Sequence, residues 1–190
     1  GASRDWNSPY RPWFQFRNWP HDYESWWGIY SLPAVEESCQ SYRDFIFGAE
    51  DSVVRRWLRA GADGWRLDVA DELPDDFVAG LHAAIRAEKP DAAVIGEGWE
   101  DGSNKIAYGV RRRHLLGRHL DSLMNYPFRS ALIAYLLGGD AAAFRDEMES
   151  LRQNYPAFAF YGAMNSLGTH DTLRILTYLG TESQKQDWSK

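Results

Sequence analysis

Three carboxylates in this chain stand at the ends of short, largely apolar runs. The stretch GADGWRLDVADE carries Asp68 after Gly64-Trp65-Arg66-Leu67, and AAVIGEGWED carries Glu97 after Ala92-Ala93-Val94-Ile95-Gly96. Asp171 follows His170 after the run AMNSLGT at 163–169. Hydrolysis of a glycosidic bond needs two carboxyl groups, one ionised to attack the anomeric carbon and one protonated to release the leaving oxygen. Arg66 lies two residues before Asp68, so both side chains project from the same side of a strand. Its guanidinium can hold Asp68 ionised through charge-assisted hydrogen bonds. Glu97 has Gly96 and Gly98 beside it and Trp99 two residues on, an indole able to shield an acid and keep its proton available. A gap of about 5 Å between Asp68 and Glu97 would predict retention through a covalent glycosyl-enzyme. His170 and Asp171 offer further hydrogen bonds to the same sugar.

Each feature alone has a plainer explanation. Arg66 and Asp68 can satisfy one another, Glu97 can be a surface residue of a glycine-rich turn, and Asp171 can cap the helix after it. Three acidic strand ends in one chain make the plainer account less economical. Asp and His side chains also bind metals, but their spacing here selects no ion, and calcium is assigned to no residues. No organic cofactor is required, because the carboxylates can perform both steps.

These residues need elements to position them. Strands are expected at 64–69, 92–96, 121–125 and 163–168, separated by helical patterns over 74–90, 104–117, 129–139 and 140–155. Another helix precedes them at 50–60 and another follows at 173–180, with 181–190 read as a loop or frayed tail. This alternation predicts an α/β fold of parallel strands with helical crossovers. Acids after several different strands favour part of a (β/α)8 barrel over an open sheet. The 190 residues fall short of a complete barrel, which takes about 250. Neither GxGxxG after the first strand nor a P-loop is present.

Residues 1–34 differ in texture. Ten aromatic residues, Trp6 to Tyr30, are dispersed among Pro, Asn, Arg and His without helical or strand period, which reads as an irregular loop segment. Such rings can stack on sugars or simply pack the segment. The neighbours Trp26 and Trp27, followed by Gly28, are the best stacking candidates, since two adjacent large rings do not easily enter one core. Residues 35–190 are read as the partial barrel.

Composition removes other classes. The formal charge of −6 argues against nonspecific nucleic-acid binding. The cluster Arg111, Arg112, Arg113, His114 and Arg118 reads as a solvated helix face, with no aromatics interleaved. No apolar run approaches 18 residues, so no membrane span is expected. Cys39 is the only cysteine, which excludes an internal disulfide and is compatible with a reducing cytoplasm. A leader lost with upstream sequence would be equally compatible, so localisation stays open.

The motifs GWRLDVADE, GEGW and GTHD resemble, in order, the nucleophile, acid/base and third-carboxylate motifs of the alpha-amylase family, glycoside hydrolase family 13. The resemblance implies Asp68 as nucleophile, Glu97 as general acid/base and Asp171 as the carboxylate that stabilises the transition state. It implies Arg66 and His170 as ligands of the sugar under attack and Glu72 as a residue near the acceptor subsites; Trp99, beside Glu97, is a further candidate substrate contact. SWWGIYSLP and DSLMNYPF are similar to segments of the neopullulanase, cyclomaltodextrinase and maltogenic amylase subgroup. Members cleave alpha-1,4 bonds in cyclodextrins, pullulan, starch or maltooligosaccharides and often dimerise. The four strands look like barrel strands four to seven, and 1–34 like the end of the insertion after strand three. A fragment of a larger enzyme is therefore expected, its open sheet edges covered by swapping or a homo-oligomer. The alternatives are a related alpha-glucosidase or glucan-transferring enzyme, or, for this segment alone, a noncatalytic carbohydrate-binding or structural piece.

Overall fold

A computed structural model describes residues 1–182. In chain order its strands are β1 (Phe16–Asn18), β2 (Asp22–Tyr23), β3 (Gly64–Leu67), β4 (Ala93–Gly96), β5 (Ile106–Ala107), β6 (Val110–Arg111) and β7 (Ser122–Leu123). The helices are α1 (Gln40–Arg43), α2 (Val53–Arg59), α3 (Asp75–Glu88), α4 (Tyr126–Leu136), α5 (Ala141–Asn154), α6 (Ala157–Tyr161) and α7 (Ile175–Glu182). They fall into two compact units, one of residues 1–63 and 73–92, the other of 64–72 and 93–190.

In the first unit β1 and β2 form a small antiparallel pair. Many of the expected loop rings pack on each other here. Trp6 meets Trp19 edge-on at 5.3 Å, Arg11 lies 4.0 Å over the Trp6 ring, and Tyr23 lies against Tyr30 at 4.5 Å. Aromatic pairs thus stand in for the missing backbone ladders. The helix α1 runs into a wider π-type turn, Asp44–Gly48, that buries Phe47. α2 buries Val54 and Leu58 but leaves Trp57, expected on the same face, exposed, and α3 buries Phe77, Val78, Leu81, Ala84 and Ile85 at helical spacing. Gly80 lets Phe47 approach α3, since a Cβ there would stand 3.0 Å from the ring. Glu88, near the end of α3, receives Arg59 at 2.7 Å and Arg55 at 3.1 Å. Their hydrogen bonds, Arg59 first, hold its carboxyl below the usual range.

The second unit is built on a parallel sheet ordered β3-β4-β7. Its core includes Leu67, Val94, Leu120, Leu123, Met124, Ile133 and Leu151. Glycine permits the close packing at the top of β4: a Cβ on Gly96 would strike Leu120 and lie 3.0 Å from Ala70 and Leu123.

Two expectations fail here. The fourth strand, 163–168, is a single parallel bridge between Met124 and Met164. Met164 and Leu167 stay 45% and 39% exposed, so little apolar burial extends the pairing. The helix expected over 104–117 is instead the antiparallel hairpin of β5 and β6, followed by turns. Gly109, in mid-run, disfavours helix, and Tyr108 and Gly109 take φ of +52° and +75°, the left-handed geometry of a two-residue hairpin turn. The basic cluster is accordingly no helix face: Arg111 ends β6, and His114 is buried.

Candidate active site

Register brings the first two acids together. β3 and β4 pair in parallel with Leu67 opposite Gly96, so Asp68 and Glu97 are the next residues on neighbouring strands. The ladder continues past the strand ends, with Glu97 N–H donating to the Leu67 carbonyl at 2.8 Å and Ala70 N–H to the Glu97 carbonyl at 3.2 Å. Both side chains meet one guanidinium. Arg66 Nη1 makes a short hydrogen bond to Asp68 Oδ1, while Nη2 lies 3.1 Å from Glu97 Oε2. That second approach has ion-pair distance without hydrogen-bond alignment, since Nη2 is buried with no hydrogen-bond acceptor. Arg66 Nε points to the Met124 sulfur at 3.4 Å.

The two carboxylates differ sharply in environment. The Asp68 side chain is 70% exposed and that of Glu97 only 7%. Glu97 Oε1 accepts from the Trp99 indole N–H at 3.2 Å, and Oε2 from the Val69 backbone N–H at 2.8 Å. Val69 achieves this with φ of +43°, a genuine departure for a β-branched residue. The Val69 carbonyl receives Glu72 N–H at 2.9 Å, so bonds on both sides fix the strained turn after Asp68. Such strain costs on the order of 1–3 kcal/mol and persists where the surroundings over-determine it.

A chain of contacts runs from Glu97 to the third acid. The Trp99 ring, 47% exposed, stacks on Tyr126 at 3.9 Å and 8°. Tyr126 Oη and Thr169 Oγ1 share a hydrogen bond of 3.0 Å, and Thr169 Oγ1 accepts the Asp171 N–H at 3.3 Å. His170 Nε2 lies 3.3 Å from Asp171 Oδ2. α7 begins at Ile175, so Asp171 is not its N-cap. Tyr126 is held at the start of α4, where Asn125 caps the helix by accepting from Phe128 N–H at 3.0 Å.

Glu72 follows Asp68 by four residues, and its Oε1 accepts the Tyr108 hydroxyl at 2.9 Å. Trp26 and Trp27 belong to the first unit, stacked on each other at 4.9 Å, with Trp27 74% exposed. Sequence reasoning missed several participants. Tyr126 stands just after a strand, as the acids do. Gly109 between Ile106 and Val110 is the one sequence mark of the turn that carries Tyr108. Asp71, next to Glu72, binds the buried His114 Nε2 at 2.8 Å and Lys105 at 3.3 Å. Burial pushes the Asp71 carboxyl up, but these two partners outweigh it and hold the group below the usual range. Among the described residues no three His, Cys, Asp or Glu side chains form a group that could hold a metal ion.

Comparison with known proteins is consistent along the chain. Residues 40–190 match the family description of the alpha amylase catalytic domain. The amylopullulanase of Thermoanaerobacter thermohydrosulfuricus is 36% identical over 98% of this chain and 14% of its own length. Neopullulanase 2 of Thermoactinomyces vulgaris is 32% identical over 94% of this chain and 30% of its own. The cyclic alpha-maltosyl-(1→6)-maltose hydrolase of Arthrobacter globiformis, solved with maltose, superposes with a TM-score of 0.80 at 28% identity, covering 93% of this chain and 39% of that one. The chain thus spans well under half the length of these relatives. On the family match and these similarities along nearly the whole chain, the chain belongs to the alpha-amylase family, glycoside hydrolase family 13, in its neopullulanase and cyclomaltodextrinase-like subgroup.

Proposed function

We propose that the protein containing this chain is a retaining hydrolase of alpha-1,4-glucans such as cyclodextrin, pullulan, starch or maltooligosaccharides. The observation that carries it is the placement of Asp68 and Glu97 on adjacent parallel strand ends, both within reach of the Arg66 guanidinium. Asp68, exposed and bonded to Arg66, attacks the anomeric carbon. The glycosidic C–O bond breaks as Glu97 gives its proton to the leaving oxygen, and a glycosyl ester forms on Asp68. Water then attacks the same carbon. Glu97 takes back a proton and Asp68 departs as carboxylate, so two inversions give net retention. Asp171 and His170 bind hydroxyls of the sugar as it flattens toward an oxocarbenium ion. Trp99 offers its uncovered ring face to a neighbouring glucosyl unit, with Tyr126 backing the other face. The sequence similarity to an amylopullulanase and a neopullulanase supports an alpha-glucan as the substrate class.

The test is the anomer first released from maltotriose or beta-cyclodextrin by the full-length protein, followed by NMR. The alpha anomer is expected, together with a glycosyl adduct on Asp68 when a fluorinated glycosyl fluoride traps the intermediate. Initial release of the beta anomer would overturn the retaining mechanism.

A further inference from the structure

The β5–β6 hairpin is unusual in what it exposes and in what holds it. It pairs with no other strand among the described residues, and a lone two-stranded hairpin is marginal in water. Ile106 and Val110 are 66% and 51% exposed, and Tyr108, at the turn, is 72% exposed. The Tyr108 position has left-handed geometry, which favours Asn, Asp or Gly and not an aromatic residue. Local stability therefore gives no reason for this ring.

Polar side chains dock the hairpin, and they converge on the turn after Asp68. Lys105, just before β5, pairs with Asp71 at 3.3 Å and also with Glu100. His114, after β6, bonds Asp71 at 2.8 Å. Tyr108 Oη donates to Glu72 at 2.9 Å. Arg112 N–H closes the base of the hairpin on the Lys105 carbonyl at 2.8 Å. The arrangement fixes an exposed ring with the Glu72 carboxylate at its edge, four residues beyond Asp68. A pyranose fits that chemistry, laying its C–H face on the ring and giving hydroxyls to the carboxylate.

Resting on the reading of an alpha-glucan hydrolase, we propose that this hairpin is a substrate arm. Tyr108 is the stacking platform for a glucosyl unit flanking the one under attack, and Asp71 is the positioning residue that docks the platform.

The test measures affinity, so it does not depend on turnover. Full-length protein carrying Glu97→Gln is titrated calorimetrically with maltose and maltotetraose, with and without further substitutions. Tyr108→Asn removes the ring and supplies a residue that the turn prefers, so the hairpin keeps its shape. It is expected to weaken maltotetraose about 3- to 10-fold, the loss of one aromatic contact, and to flatten the gain from maltose to maltotetraose. Tyr108→Phe should stay within about twofold of the parent, since stacking needs only the ring. Asp71→Ala should weaken maltotetraose similarly, and Asp71→Ala with Tyr108→Asn should be no worse than Tyr108→Asn alone. Additive losses would assign Asp71 a merely structural part. Unchanged maltotetraose affinity in Tyr108→Asn, or no maltotetraose binding by the parent at millimolar concentration, overturns the arm. Absence of maltotetraose hydrolysis by the unsubstituted full-length protein, with the Tyr108→Asn loss of affinity intact, would instead overturn the hydrolase reading and leave the arm standing, so the two failures are separable.

Discussion

Glu97 and Asp68 are the same kind of group placed in opposite surroundings. Glu97 is nearly enclosed and receives two N–H donors, whereas Asp68 projects outward against one guanidinium. Glu97→Gln keeps the hydrogen-bond acceptor but removes the transferable proton. It is expected to lower kcat on maltotriose by about 10²- to 10⁴-fold, the usual share of general acid–base catalysis, as read by product release. Asp68→Asn should abolish the trapped glycosyl adduct in mass spectra while leaving the fold unchanged by circular dichroism. At this scale the short motifs singled out Asp68, Glu97 and Arg66, and the structure sets these three side by side at adjacent strand ends. The strained φ of Val69 and the Tyr126–Thr169 hydrogen bond were not legible, because both depend on partners distant in the chain.

The elements that carry these residues differ in what fixes them. β3 and β4 are short apolar runs whose four-residue register follows from their pattern, and α3 and α5 show clear helical spacing. The segment 104–117 misled because its leucines, isoleucine and arginines allow a helix, while the deciding features are Gly109 and the docking of Lys105 and His114 onto Asp71. That docking has a pH signature. The Asp71 carboxyl is depressed in the folded chain, so its contribution is fully present above the ordinary carboxylate range. It is lost as pH falls through the lower folded value. Hydrogen exchange at Arg112 N–H should therefore stay protected from neutral pH to about 4 and weaken below it. In Asp71→Ala the protection should be low throughout, and a variant with parental protection would show that Asp71 does not hold the hairpin.

At the scale of the molecule, the proposed acids of the second unit rest on the apolar layer beneath β4 and β7. Leu123 is 2% exposed, and a Cβ on either Gly96 or Gly98, the residues on both sides of Glu97, would lie 3.0 or 3.3 Å from it. Leu123→Ala should cost about 2–5 kcal/mol by the cavity it leaves, read as a lower denaturation midpoint. It should also lower kcat, since the backbone that aims Glu97 loses its floor. A variant destabilised to this extent with unchanged kcat would separate that floor from the acid's alignment. The partial barrel was legible as a succession of strand and helix. The fourth strand expected over 163–168 does not form, because the run has strand composition but too little burial to extend the ladder beyond Met164.

The β5–β6 pair is joined to its neighbours by side chains, with no strand of the parallel sheet continuing through it. Its sequence can therefore drift without moving the strands that bear the acids. On the reading of the hairpin as a substrate arm, Asp71 and Glu72 are a socket into which one hairpin tip can be exchanged for another while the acids stay where they are. The same socket gives a protein engineer a place to graft.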